Sequence, residues 1–152
     1  MNEIKYSTLS DTDKKLLAKA EKAVKNSYNP YTRSKYGAAV LCENGKMFSG
    51  TSYACASSGS NLCAERTAIV NANTNGCRKI KKIAIVENDN TLGGEPAMPC
   101  GICLQFMQEI VKITGKDLEI ITTNDNKTKI LKTKLSELFP HPYHGTNGKK
   151  LK

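Results

Sequence analysis

No run of apolar residues in this sequence approaches the length that spans a bilayer. The first residues, MNEIKYSTLSDTDKK, also lack the apolar segment and small-residue cleavage site of a secretory signal. We therefore expect a cytoplasmic protein without membrane association. Internal repeats, low-complexity blocks and linkers are absent as well, and 152 residues that are 39% hydrophobic fit one domain with a sizeable core. We predict a single domain over residues 1–145 and a flexible basic tail over residues 146–152.

Aromatic residues are scarce, at 6% of the chain, although the net charge is +9. They do not alternate with the basic residues along the sequence. Proteins that bind single-stranded nucleic acid combine cations with aromatic platforms on which the bases stack. We therefore interpret the charge as a basic, solvated surface and expect no nucleic-acid partner.

Six cysteines require an explanation, because a reducing compartment disfavours disulfides. In that setting a cysteine cluster indicates metal binding or catalysis. Cys42 and Cys77 lie at the ends of predicted elements, and we interpret them as ordinary small residues. Cys55 lies in the loop that leads to Cys63, where packing is the expected role and lining of the pocket is the alternative. His141 and His144 follow the last predicted helix, and we expect them at the surface or at a pocket edge.

Hydrophobic periodicity and turn signals predict four helices and four strands. Ser10 begins a capping-box-like segment, and Asn44-Gly45 supplies the tight turn of a β-hairpin. The predicted elements are a helix from Ser10 to Asn29, hairpin strands at 36–41 and 46–50, a helix at 63–73, a strand at 82–87, a helix at 100–113, a strand at 118–123 and a helix at 132–139. This order implies a mixed sheet covered by helices.

Cys100 and Cys103 lie three positions apart at a predicted helix start, in the stretch AMPCGICLQF. Their sulfurs therefore share one helix face and can converge on one ion. The pair alone is ambiguous, because redox motifs and zinc half-sites use the same spacing. A second helix start, NLCAERTAIV, offers Cys63 as a third ligand. Three protein ligands leave the fourth tetrahedral position open, which is typical of a catalytic zinc, and we expect one zinc ion per chain.

Glu65 follows Cys63 by two residues and is interpreted as a group beside the metal but not bound to it. Three thiolates give the site a net negative charge, which weakens the acidifying effect of zinc on water. A carboxylate that takes the proton and passes it on is therefore useful, so Glu65 is the predicted catalytic residue. Arg66 is predicted to offset thiolate charge by hydrogen bonding to sulfur. A surface or interface ion pair is the alternative role for Arg66.

The pattern Cys63-Ala64-Glu65 followed by Pro99-Cys100-Gly101-Ile102-Cys103 matches that of zinc deaminases. Further segments follow the order of the small cytidine deaminase family, namely Asn29-Pro30-Tyr31-Thr32, Gly37-Ala38-Ala39-Val40, Asn44-Gly45, Gln105 and Leu138-Phe139-Pro140. The chain resembles that family over most of its length. The resemblance implies an α/β fold, a three-layer α/β/α sandwich with a mixed five-stranded sheet. It also implies a homotetramer, or a dimer, in which neighbouring subunits complete the pockets.

The resemblance further implies hydrolytic deamination of a cytosine-type base. In that reaction Glu65 protonates N3 of the base and the leaving amine while water attacks C4. Backbone N–H groups of Ala64 and Cys100 are expected to help place the base and the water. Arg66, Pro99 and Gln105 are expected just outside the metal ligands.

Two departures from the family concern the substrate. Cytidine deaminases typically carry an Asn-x-Glu pair that binds the ribose hydroxyls, where this chain has Ser52-Tyr53-Ala54. Alanine cannot accept a hydrogen bond from ribose, and such a loss usually costs specificity. A Phe that contacts the nucleoside is replaced by Ser34. Ser34, Ser52, Ala54 and Ala64 are therefore the candidate substrate-binding residues.

Blasticidin S deaminase is similar in lacking the Glu of the ribose pair and the strand-one Phe. It carries a Tyr after a closing Leu-Pro, which Tyr143 resembles, so Tyr143 is a further candidate for substrate contact. Packing at a subunit interface is the alternative for Tyr143. The loop with Tyr53 and residues 57–60 is interpreted either as a reshaped substrate wall or as a flexible loop.

The leading hypothesis is a zinc-dependent deaminase of cytosine in a free nucleoside or analogue, such as cytidine, deoxycytidine or a blasticidin S-like compound. A second hypothesis is deamination of another aminopyrimidine, or of a base in RNA or single-stranded DNA. A third is a non-catalytic, zinc-stabilised binding protein. Glu65 argues against the third, because a structural site needs no proton carrier.

Overall fold

A mixed β-sheet forms the centre of the computed structural model, which describes residues 2–88 and 92–145. Its strands in these residues are β1 (Asn2–Ile4), β2 (Lys35–Cys42), β3 (Met47–Thr51), β4 (Ile80–Asn88), β5 (Glu119–Thr123) and β6 (Ile130–Lys134). They lie in the order β1-β6-β5-β4-β2-β3. β4 and β5 pair in parallel, and the other neighbouring pairs are antiparallel. The expected number of five strands is therefore wrong, since six are present in the described part of the chain.

Helices cover both faces of this sheet. They are α1 (Asp11–Val24), α2 (Ala64–Thr74), α3 (Gly101–Thr114) and the short α4 (Leu135–Leu138). The Ser10 hydroxyl accepts a hydrogen bond from the Asp13 amide at 3.1 Å, which confirms the predicted start of α1. Within residues 2–88 and 92–145, no helix is long and apolar enough to cross a membrane.

Strand alternation in β2 divides the apolar residues into two cores. Ala38 and Val40 belong to the core under α2 and α3, whereas Ala39 and Leu41 belong to the core under α1. Successive side chains of a strand point to opposite faces, so one run of small apolar residues serves both layers. The predicted three-layer α/β/α sandwich is thereby confirmed.

The predicted helix at 132–139 is wrong in its first half. Residues 130–134 form β6, which pairs with β5 on one side and with β1 on the other. Only Leu135–Leu138 is helical. A short segment with β-branched residues has an ambiguous local pattern, and pairing with distant strands decides its state. The predicted tail at 146–152 lies outside the described residues.

Cys42 and Cys77 form a disulfide, which corrects their interpretation as ordinary unpaired residues. Cys42 ends β2, and Cys77 follows α2, so the bond joins the sheet to the C-terminal end of that helix. The two residues are 35 positions apart in the sequence. Their pairing results from the packing of α2 on β2, which no local pattern indicates.

Gly50 of β3 permits the close approach of α2 to the sheet. A Cβ atom on Gly50 would lie 2.2 Å from the backbone nitrogen of Ala68 and 2.6 Å from the carbonyl carbon of Thr67. Backbone atoms cannot move aside as a flexible side chain can, so we expect Gly50→Ala to lower the free energy of unfolding by about 3 kcal/mol. Denaturant unfolding followed by circular dichroism measures this loss.

Gly59→Ala is the matched control for Gly50→Ala. Nothing lies within 4 Å of a Cβ atom at Gly59, so its free energy of unfolding should change by less than about 0.5 kcal/mol. Equal stability of the two variants would contradict the proposed role of the Gly50 contact in seating α2.

Candidate active site and metal centre

The starts of α2 and α3 lie side by side and bring the three predicted metal ligands together. Cys63 immediately precedes α2, and Cys100 immediately precedes α3, both in extended backbone. Cys103 is one turn into α3 and fully buried. The three Sγ atoms all lie within 4.8 Å of one another, and those of Cys100 and Cys103 are 3.6 Å apart.

Interactions among the sulfurs shift their pKa values in opposite directions. A hydrogen bond from Cys103 lowers the pKa of Cys63 to about 5, against the effect of burial and with further help from the Arg66 guanidinium. The pKa of Cys103 is raised, first by that hydrogen bond and then by burial and the charge of Glu65. The cluster thus stabilises one thiolate readily, and a second thiolate beside it requires a cation.

This donor set fits a zinc ion. Thiolate sulfur is a soft ligand, and three converging thiolates with an open fourth position match the coordination of catalytic zinc. A divalent cation also supplies the positive charge that adjacent thiolates need. Cys63, Cys100 and Cys103 are the residues that would hold it.

Glu65 is the second residue of α2 and only 5% exposed. Burial raises the pKa of its carboxyl to about 7, against a hydrogen bond from its own backbone amide, and the negative charge of Cys63 adds to the rise. A group with a pKa near 7 can both accept and release a proton at neutral pH. The position and pKa of Glu65 therefore fit a proton carrier beside the cysteine cluster.

Arg66 connects the sulfur cluster to the loop before α2. Its guanidinium donates a hydrogen bond to the Cys63 sulfur at 4.0 Å and another to the backbone oxygen of Asn61 at 2.7 Å. The guanidinium is thus in contact with the sulfur, and its role in offsetting thiolate charge stays a prediction. The Asn61 side chain in turn accepts a hydrogen bond from the Cys55 amide at 2.7 Å. These contacts hold the loop in a defined position next to the first ligand.

A cavity of about 550 Å³ opens in front of Cys63, Glu65 and Cys100. Ser34, Ser52 and Ala54 line it, so the structure brings these three candidate substrate-binding residues to the site. Ala64 does not line the cavity. It is the first residue of α2. Its backbone N–H is therefore one of those at the start of a helix that have no carbonyl partner within the helix. Pro99 is buried directly before Cys100.

Gln105 and Tyr143 lie on a different surface from the cavity. The Gln105 side chain donates a hydrogen bond to the Tyr143 carbonyl at 2.8 Å and accepts one from the Tyr143 amide at 2.9 Å. Both residues line a groove of about 1000 Å³ on the outer faces of α2 and α3. Gln105 thus holds the C-terminal segment with both polar atoms of its side-chain amide. Substrate contact by Tyr143 remains a prediction that requires a neighbouring copy of the chain.

Several apolar residues of the cavity were not predicted from the sequence. Leu62, Leu92 and Met98 line it together with Tyr53. Leu62 stands directly before Cys63, and Met98 stands two residues before Cys100. Their adjacency to the ligand motifs is a signal that could have identified them, whereas nothing local marks Leu92.

Comparisons with known proteins agree with this geometry. Residues 10–115 match the family described as the cytidine and deoxycytidylate deaminase zinc-binding region. A cytidine deaminase of Sporosarcina psychrophila is 34% identical over 126 residues, which are 83% of this chain and 87% of that protein. A cytidine deaminase of Halalkalibacterium halodurans is 34% identical over 125 residues, 82% of this chain and 89% of the other.

Solved structures of cytidine deaminases are also similar to this chain. The crystal structure of cytidine deaminase from Burkholderia pseudomallei has a TM-score of 0.76 and 34% identity, covering 89% of this chain and all of the other. That of cytidine deaminase from Mycobacterium tuberculosis has a TM-score of 0.69 and 27% identity, with coverage of 89% and 98%.

Proposed function

This chain belongs to the cytidine and deoxycytidylate deaminase family, and from that membership we propose that its substrate is cytosine in a free nucleoside or nucleoside analogue. It is a zinc-dependent hydrolytic deaminase. The observation that carries the proposal is the position of Glu65, buried next to three clustered cysteines at one cavity. The products are the uracil form of the base and ammonia.

Each residue of the site has a separate role in this reaction. Cys63, Cys100 and Cys103 would hold a zinc ion, which would serve as the Lewis acid that activates water. Glu65 takes one proton from the water and delivers it to N3 of the ring as the water oxygen bonds to C4. It then takes the remaining proton of that oxygen and delivers it to the amine, so that the C4–N bond breaks, C4–O becomes a carbonyl and ammonia leaves. The starts of α2 and α3 direct unpaired backbone amides and positive dipole ends towards the cavity, where negative charge develops.

The charges of the cavity favour an uncharged substrate over a nucleotide or a nucleic-acid strand. Among the described residues that line it, none is a lysine or an arginine, and the ionisable carboxyl groups are those of Glu65 and Glu95. A phosphate group would therefore find no lysine or arginine among these residues to bind it, and the ammonium of Lys129 at the cavity edge is already paired with Glu95. We accordingly place the basic residues of the chain outside substrate binding.

A broad deamination screen tests the proposed function. Zinc-loaded protein should release ammonia from at least one of cytidine, deoxycytidine, free cytosine, modified cytidines or blasticidin S, with loss of cytosine absorbance. Protein that carries zinc and is inert towards all of these and towards other aminopyrimidines would contradict the proposal.

A 5′-phosphate is expected to make the substrate worse. We predict that kcat/KM for deoxycytidine exceeds that for deoxycytidine 5′-monophosphate by at least about tenfold, which corresponds to roughly 1.4 kcal/mol of lost interaction. Absorbance assays at matched ionic strength measure the ratio. A value of one or below would show that cations outside the described lining bind the phosphate.

We propose that residues 1–145 form one catalytic domain, with 146–152 as a basic tail, and that the protein acts in the cytoplasm as a homotetramer or dimer. The groove on the outer faces of α2 and α3 supports association, because Val70, Ile102 and Phe106 expose 51%, 66% and 39% of their surface there. Apolar patches of this kind are typical of interfaces between chains.

A further inference from the structure

Three polar side chains at the cavity, those of Ser52, Asn29 and Glu95, are engaged in hydrogen bonds within the chain. The Ser52 hydroxyl accepts a hydrogen bond from the Tyr36 amide at 3.1 Å and shares another with the Ser27 hydroxyl at 2.6 Å. A serine hydroxyl has one donor and two acceptor positions, so these contacts use most of its capacity. Ser52 therefore holds β2 and the end of α1 in place, and Ala54 beside it offers a methyl group.

Asn29 is committed in the same way. Its side-chain oxygen accepts hydrogen bonds from the Tyr31 and Thr32 amides at 3.2 and 3.0 Å. Its side-chain nitrogen donates to the Thr32 hydroxyl at 2.7 Å and to the Ser34 carbonyl at 2.8 Å. An asparagine amide has two donor and two acceptor positions, and all four are occupied. Asn29 thus shapes the turn and has no capacity left for a substrate hydroxyl.

Glu95, the acidic residue at the cavity edge, is paired as well. Its two carboxylate oxygens accept hydrogen bonds from the Lys129 ammonium at 2.8 and 2.6 Å. Recognition of a sugar hydroxyl by Glu95 would compete with this ion pair. The side chains of Ser52, Asn29 and Glu95 are therefore already engaged within the chain.

An apolar wall stands next to these engaged polar groups. It consists of Tyr53, Leu62, Leu92 and Met98, which expose 51%, 44%, 40% and 44% of their surface. Large apolar side chains exposed together at the mouth of a cavity are typical of a binding surface. The wall is complementary to an apolar or aromatic group and not to a polyhydroxylated one.

Tyr53 is fixed in this wall from two sides. Its amide and carbonyl pair with the carbonyl and amide of Leu62 at 2.9 and 3.0 Å. The Tyr28 ring stacks on the Tyr53 ring with 5.0 Å between centroids, and the Ala54 amide donates to the Tyr28 carbonyl at 2.8 Å. Of the two interpretations of this loop, the geometry around Tyr53 favours the substrate wall.

We infer that the site recognises the cytosine base but does not bind sugar hydroxyls. The wall of Tyr53, Leu62, Leu92 and Met98 instead binds an apolar or aromatic group carried on N1 of the base. The inference rests on the proposed deaminase function, because it names the substrate class of the same site. It makes Tyr53 a specificity-determining residue.

Four compounds test the inference, namely cytidine, 2′,3′-dideoxycytidine, 1-methylcytosine and 1-benzylcytosine. We expect kcat/KM for dideoxycytidine to lie within about threefold of that for cytidine, since a site built to bind a hydroxyl would reject the deoxygenated analogue by about 10⁴-fold. We also expect 1-benzylcytosine to exceed 1-methylcytosine by at least about tenfold, because the ring is buried against the wall.

A loss of about 100-fold or more for dideoxycytidine would overturn the inference, whether the hydroxyl-binding groups came from this chain or from a neighbouring copy. Equal rates for the methyl and benzyl compounds would overturn it too. Absence of turnover with every cytosine compound would instead contradict the proposed function, so the two failures are distinguishable.

Variants of Tyr53 test whether the wall causes the preference for 1-benzylcytosine over 1-methylcytosine. Tyr53→Ala is expected to lower the benzyl-to-methyl ratio of kcat/KM by about tenfold, whereas Tyr53→Phe, which keeps the ring, should retain the ratio. Tyr31→Ala is the matched control, because Tyr31 is 57% exposed and does not line the cavity. A ratio unchanged in Tyr53→Ala, or lowered equally in Tyr31→Ala, would contradict the assignment.

Discussion

Glu65→Gln is expected to lower kcat on the best cytosine substrate by about 10²–10⁴-fold while zinc content and fold are kept. Glutamine has nearly the same volume as glutamate, so the buried position at the start of α2 stays filled. Its amide, however, cannot take a proton from water and pass it to the ring nitrogen. Absorbance kinetics at saturating substrate, metal analysis and thermal melting measure the three properties.

Glu95→Gln is the control for the loss of a carboxylate at this cavity. The Glu95 carboxylate is exposed and paired with Lys129, and we assign it no proton transfer. Its removal should leave kcat for an uncharged substrate nearly unchanged. Activity of Glu65→Gln equal to that of the unmodified protein would contradict the role of Glu65 as proton carrier, whereas loss of zinc in that variant would show that Glu65 supports metal binding.

Removal of one sulfur of the cluster is expected to release the metal. Cys63→Ala leaves two cysteines from a single helix start, and the protein should lose most of its zinc on gel filtration. Activity should fall by about 10³-fold or more, because the metal supplies several kcal/mol of transition-state stabilisation. Metal analysis of the purified variant, with activity before and after zinc addition, gives the measurement.

Cys55→Ala is the matched control for Cys63→Ala. Cys55 lies in the same loop, but its sulfur hydrogen-bonds to the Ser60 carbonyl at 3.8 Å and is not part of the three-sulfur group. This variant should keep about one zinc per chain. Full zinc retention in Cys63→Ala, or equal loss in both variants, would be incompatible with the assigned ligand set.

Local patterns were sufficient for the parts of the fold that position the site. Apolar spacing, the Ser10 cap and the Asn44-Gly45 turn predicted α1 and the β2–β3 hairpin, because helix periodicity and turn chemistry involve residues close in sequence. The starts of α2 and α3 could be predicted for the same reason. β1 and β6 could not, because short strands at the edge region acquire their state from pairing with distant strands.

Substrate recognition could be predicted from the sequence only in part. The sequence indicated that Ser52 and Ala54 depart from the ribose-binding pattern, but not that the Ser52 hydroxyl is bound by Ser27 and Tyr36. Tyr143 was expected near the substrate, and the structure places it in the groove on α2 and α3. The hydrogen bonds of Ser52 and the position of Tyr143 both depend on which distant segments of the chain pack together.

Short motifs with defined spacing were enough to predict the three candidate cysteine ligands, the candidate proton carrier Glu65 and the membership in a deaminase family. The folded structure was needed to show that Cys42 bonds to Cys77, that Ser52, Asn29 and Glu95 are engaged in internal hydrogen bonds, and that four apolar side chains line the cavity beside them. The difference lies in the range of the interactions. Helix starts and ligand spacing depend on neighbours along the chain, whereas a disulfide and a cavity wall are made by residues that only folding brings together.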